Sequence, residues 1–187
     1  MRSERRAGPG GFGSDYLLVT CGHGGNRVPA ALAAHFRGRQ RVIGRHPRAS
    51  AGQRVIHISS HSFTPVLDGT ARTADVGLLY DPPRSGERAL AAHWQAAFAA
   101  QAPGLRVRRN YPYEGKDDGL TAALRRACSP AQYVGIELEV SQRFVLAGRA
   151  PWRALRALVV ATLRAALGSD AGAAPQFMPP PAPRSPQ

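Results

Sequence analysis

The stretch Ile58-Ser59-Ser60-His61-Ser62-Phe63-Thr64-Pro65 carries an alternating apolar strand into an imidazole and then into small polar residues. Upstream, a second apolar run ends in Cys21-Gly22-His23-Gly24-Gly25-Asn26. Ligand sites of open α/β sheets gather at the carboxyl ends of their strands. Two strands that each release a histidine there read as a metal site on such a sheet. One strand-end histidine alone reads as a hydrogen-bonded structural residue; as a pair, His23 and His61 leave both readings open.

Working outward, the chain alternates strands and helices. A short strand over 16–21 precedes a helix over 29–36, opened by Pro29, whose missing N–H costs nothing in a first turn. Residues 38–53 are basic and without apolar periodicity, hence a loop. Strands follow over 54–60 and 76–80. Ser85 can cap a helix reaching Gln101, with Leu90, Trp94, Ala97 and Phe98 as its apolar stripe. Residues 105–109 alternate like an edge strand, and Asp118 can cap a helix over 120–127. A last strand runs over 133–140. Pro151 starts a helix with Leu155, Val159, Leu163 and Leu167 on one face, ended by Gly168. This alternation predicts a mostly parallel sheet flanked by helices.

The chain has 187 residues, 43% of them apolar, enough for one core. The domain expected is 15–168. Residues 1–14 are basic and glycine-rich and read as a disordered tail. Residues 169–187 are rich in proline and small residues, which cannot bury a core. The formal charge of +13 is almost all arginine, Lys116 being the single lysine, and it is spread over termini, loops and helix faces. Nucleic acid is therefore not the expected partner. Cys21 and Cys128 have no metal-knuckle spacing, and Cys21 is expected to pack as a small buried residue. With neither a signal-like segment nor a membrane-length apolar run, a soluble cytoplasmic protein is expected.

The chemistry concentrates in a few places. A hydrolytic zinc needs about three protein ligands and an open position; His23 and His61 offer two. His57 shares a strand face with Ser59 and His61, either supporting the site or sitting in the core. His35, His46 and His93 read as surface residues. In Tyr133-Val134-Gly135-Ile136-Glu137-Leu138-Glu139-Val140, two carboxylates at i and i+2 share one side of an apolar strand. Buried carboxylates need partners, so they are either ion-paired to arginines or part of the site. Glu139, nearer the strand's carboxyl end, is the candidate general base. Arg72 offers a fork for a carboxylate. Residues 110–121 form a polar, lid-like segment whose helix start could hold an anion.

Together these runs closely resemble the N-formylglutamate amidohydrolase family. They are H-G-G-N-R-V-P at 23–29, H-S-F-T-P-V-L-D-G at 61–69, A-D-V-G-L-L-Y-D-P at 74–82, N-Y-P-Y-E-G at 110–115 and G-I-E-L-E-V at 135–140. The resemblance implies a three-layer α/β/α sandwich of the zinc-carboxypeptidase-like kind and hydrolysis of the amide of a small N-formyl or N-acyl amino acid. It implies Zn2+ held by His23 and His61, Glu139 as the catalytic carboxylate, and Arg72, Asn110 and Thr121 around the substrate. Two departures stand out. Gly22 replaces the family's glutamate, and the interval 30–54 is much shorter than usual, so a third ligand is not identifiable. The alternative function is therefore a catalytically impaired member that keeps only the core of a truncated fold.

Overall fold

The computed structural model describes residues 16–21, 54–116 and 119–168. Among these residues, seven strands and four helices follow in order: β1 (Tyr16–Cys21), β2 (Val55–Phe63), β3 (Val66–Leu67), β4 (Thr70–Ala71), β5 (Val76–Leu79), α1 (Ser85–Gln101), β6 (Val107–Arg109), α2 (Gly119–Ala127), β7 (Tyr133–Ser141), α3 (Arg143–Leu146) and α4 (Arg149–Ala166). Five strands form one sheet in the order β1-β2-β7-β5-β6. Within it β1, β2 and β7 are mutually parallel, β5 and β6 are parallel to each other, and the β7–β5 pairing is antiparallel. The mostly parallel α/β sheet is as expected.

Register sorts the side chains, because paired residues share a face and neighbours along a strand alternate. One face carries Ile56 and Ile58 of β2, Val134, Ile136 and Leu138 of β7, and Val76 and Leu78 of β5. α1 and α4 cover it, placing Leu90, Trp94, Phe98, Leu155 and Leu158 in the core. Trp94 Nε1 donates to Thr162 Oγ1 at 3.0 Å, so the indole is buried with its polar atom satisfied. The opposite face carries Thr20, His57, Ser59, His61, Glu137 and Glu139, and α2 lies against it through Thr121 and Arg125. Helices on both faces make three layers.

Several local expectations shift. β2 continues to Phe63, so His61 lies within the strand. Arg84, rather than Ser85, stands at the N-cap of α1 and makes no side-chain cap bond. Its guanidinium is drawn to Glu87 and to the carbonyls of Cys128 and Tyr133. The buried stripe of α4 is Leu155, Leu158, Thr162 and Ala166, leaving Val159, Leu163 and Leu167 at its border. Asp68-Gly69 closes a β3–β4 hairpin with both residues at positive φ, the geometry that this dipeptide favours in two-residue hairpins. Cys21 is exposed, because the described helices stop short of β1, leaving Leu17 and Val19 exposed as well. The tails, the helix over 29–36, the loop over 38–53, His35 and His46 lie outside the described residues.

Candidate active site

His61 and Glu139 are register partners on the adjacent parallel strands β2 and β7, near their carboxyl ends and on the polar face. The imidazole and the carboxylate thus stand side by side because the apolar alternation of both strands fixes which face each occupies. Glu139 is 5% exposed. Ser59 Oγ lies 2.8 Å from His61 Nε2 and holds the ring.

Glu137 has a different fate. It is 1% exposed, accepts a hydrogen bond from Thr121 Oγ1 and faces Arg125 at 3.9 Å. Arg125 also pairs with Glu87 at 3.0 Å and donates to the carbonyls of Gly115 and Gly135. Glu87 in turn accepts the backbone N–H groups of Asp81 and Gly135. This closed ionic cluster ties α1, α2 and β7 together. Of the two glutamates, the ion-pair reading holds for Glu137. Another buried acid, Asp75, pairs with Arg106 and Arg143 and accepts the N–H of Ser141 on its carbonyl, tying the start of β5 to the carboxyl end of β7.

His57 is fully buried between Tyr133 Oη (2.7 Å) and Thr20 Oγ1 (2.8 Å). Burial, helped by the Arg125 and His61 charges, lowers its pKa to about 4. It is a neutral core histidine that also belongs to the hydrogen-bonded side of the site. Burial likewise pushes the Tyr133 hydroxyl up, with Glu87 and Glu137 adding to the rise and the Arg125 and Arg84 charges opposing it.

The segment after β6 is strapped to the sheet rather than lid-like. Asn110, at φ 47°, accepts the Tyr80 N–H through Oδ1 at 2.9 Å, and its own N–H reaches the Leu78 carbonyl. The chain then folds back over β5. A Cβ on Gly77 would collide with the Tyr111 carbonyl oxygen and lie 3.2 Å from Glu139 Cβ. Glycine at 77 is therefore what lets this loop lie against β5 next to Glu139. Arg72 joins the loop from the other side, donating to Tyr113 Oη at 3.0 Å with its guanidinium 5.1 Å from the Tyr113 ring and 5.7 Å from Phe63. Thr73 N donates to Tyr111 Oη.

Among the expected site residues, His61 and Glu139 are brought together. Arg72 and Asn110 are placed on the neighbouring loops, and Thr121 is engaged by Glu137. His23 lies outside the described residues. The His61 imidazole is a donor of the kind zinc takes, with the Glu139 carboxylate beside it as the base, and Ser59 supplies the outer hydrogen bond that such a ligand carries. Among the described residues no three His, Cys, Asp or Glu cluster closely enough to hold a metal ion; a full set draws on a further donor. Sequence reading missed Ser59, Thr20, Tyr133 and Gly77 as parts of the site. The period-two spacing of Ser59 to His61 was the signal available.

The fold and site define an α/β/α protein with a histidine–carboxylate centre at strand ends. A family model described as N-formylglutamate amidohydrolase matches residues 40–146, more than half of the chain, and the chain belongs to that family. Among solved structures, the crystal structure of gene product Atu2144 from Agrobacterium tumefaciens is similar, at 30% identity and a TM-score of 0.53 over 73% of this chain and 50% of that one. The N-formylglutamate amidohydrolase from Ralstonia eutropha JMP134 matches at 20% identity and a TM-score of 0.44 over 73% of this chain and 48% of that one. The chain thus spans about half the length of these proteins. No curated protein matches it. No described helix is long and apolar enough to cross a membrane.

Proposed function

We propose that this chain is a metal-dependent amidohydrolase that cleaves the amide of a small N-formyl or N-acyl amino acid. The observation that supports this reading most is the register pairing of His61 with Glu139 at the ends of parallel strands. His23 and His61 would hold a zinc ion, which supplies polarisation of the amide carbonyl and a more acidic water. Glu139 accepts the proton of the attacking water and returns it to the departing amine nitrogen, a role that asks for a carboxylate in a largely desolvated place. Arg72, held by Tyr113, meets the substrate carboxylate through its fork. Asn110 and Thr121 shape the pocket wall, the first by strapping the loop to β5 and the second by fixing Glu137. The reading carries a cytoplasmic setting and no nucleic-acid or membrane partner.

The test is metal content and formate release from N-formylglutamate for the wild type and His61→Ala. Zinc and formate in the wild type, both lost in the variant, support the proposal; equal zinc in the two proteins removes the site as drawn. A second reading, a catalytically impaired member, rests on Gly22 standing where the resemblance calls for a glutamate and on the short interval between the two histidine motifs. A folded wild type that binds no zinc and releases no formate favours it.

A further inference from the structure

A hydrogen-bonded chain of side chains crosses three strands and ends on His61. The Tyr133 hydroxyl lies 2.7 Å from Nδ1 of His57, and Nε2 of His57 lies 2.8 Å from Thr20 Oγ1. The Thr20 hydroxyl donates to Ser59 Oγ at 3.3 Å, and Ser59 Oγ lies 2.8 Å from Nε2 of His61.

Proton counting gives the chain a direction. His57 stays neutral, with its pKa lowered to about 4 chiefly by burial, so its ring carries one N–H. Thr20 gives its own proton to Ser59 and therefore accepts from His57. That places the His57 proton on Nε2 and makes Nδ1 the acceptor of the Tyr133 O–H. Ser59 accepts from Thr20, which leaves its own hydroxyl proton available for Nε2 of His61. With that last donation, each group donates once toward His61.

The backbone is shaped to permit this. Tyr133 and Gly135 lie on the same strand face, and Gly135 is the register partner of His57. A Cβ at 135 would lie 2.7 Å from the Tyr133 hydroxyl oxygen and 2.8 Å from the ring carbon Cε1. Only with glycine there can the tyrosine ring lie along the sheet and reach the imidazole.

We propose that Tyr133, His57 and Thr20, acting through Ser59, are positioning residues that hold the His61 ring in one orientation and, without metal, in one tautomer protonated on Nδ1. The orientation matters for catalysis only through the amidohydrolase reading above; the tautomer does not depend on it.

The experiment uses the full-length, metal-free chain labelled with 15N, at pH 8, where ordinary imidazoles are neutral. Two-bond proton–nitrogen correlations then report which ring nitrogen of each histidine carries the proton. Wild type and Thr20→Ser are expected to show single tautomers, His57 protonated on Nε2 and His61 on Nδ1. In Thr20→Val, nearly isosteric but without the hydroxyl, both rings average between tautomers, and zinc affinity drops about tenfold, the low end for loss of an outer-layer partner. Averaged rings in the wild type, or a Thr20→Val spectrum like the wild type, overturn the proposal. If Thr20→Val does not fold, Tyr133→Phe cuts the chain at its other end and is read in the same way. Should the wild type bind no zinc, the amidohydrolase reading falls while the tautomers still decide the relay.

Discussion

Glu137 and Glu139 are the same residue two positions apart on one strand face, yet their surroundings divide them. Glu137 sits among Thr121, Arg125 and the Glu87 pair; Glu139 sits opposite His61 and under the Gly77–Tyr111 contact. Arg125→Met should destabilise the fold by about 3–5 kcal/mol, because it strands two buried carboxylates; urea unfolding with matched m-values measures it. Glu139→Gln keeps volume and fold but removes the base. On the proposed function its formate release falls by about 10²–10⁴-fold with an unchanged unfolding midpoint. The sequence showed the pair of carboxylates and their shared face, but not which one the arginines would take. That choice rests on α2 lying over Glu137, where Thr121 meets a residue 16 positions further along the chain, a contact that no local pattern encodes.

At the scale of elements, strands were more legible than their surroundings. Alternation alone puts His57, Ser59 and His61 on one face of β2, and Glu137 with Glu139 on one face of β7, since period two permits no other arrangement. Order within the sheet was less legible: β7 inserts between β2 and β5 although it is the last strand. Helix faces were read about one position off in α4, where Thr162 is buried to serve the Trp94 indole, a polar residue that an apolar stripe overlooks. The loop after β6 suggested a lid by composition, yet Asn110, Tyr111 and Gly115 strap it to β5. Gly77→Ala tests the strap. The added methyl collides with backbone and cannot be accommodated by a rotamer change, so the expected loss is about 1–3 kcal/mol. Limited proteolysis should then cut within the segment after β6, whereas an uncut loop would mean that it is not held at this point.

For the whole molecule, the buried neutral His57 couples stability to pH. Its unfolded-state value is 6.5 and its folded value about 4, so the unfolded chain binds the proton first. Stability is therefore complete above about pH 6.5 and declines as pH falls toward 4, by on the order of 2–3 kcal/mol from this group. Urea midpoints between pH 7 and 5, above the usual carboxylate range, isolate the effect when the profile of His57→Gln is subtracted from that of the wild type. A flat profile there would contradict a neutral buried ring. At the same scale, part of the chain's +13 charge is engaged inside: Arg84, Arg125 and Arg143, together with the exposed Arg106, hold Glu87, Glu137 and Asp75 in place. Composition alone could not separate these structural arginines from surface ones.

The β2–β7 pairing has one more consequence. The strands that place the imidazole beside the carboxylate also turn Ile56, Ile58, Ile136 and Leu138 into the core between sheet and helices. A slip of one residue would drive the imidazole into that oil-like layer and the isoleucines out of it. The His61–Glu139 pair thus has no loosened form of its own to pass through. On heating, the ring signals of His61 and the loss of sheet structure should trace one curve, whatever the loops around the pair do first.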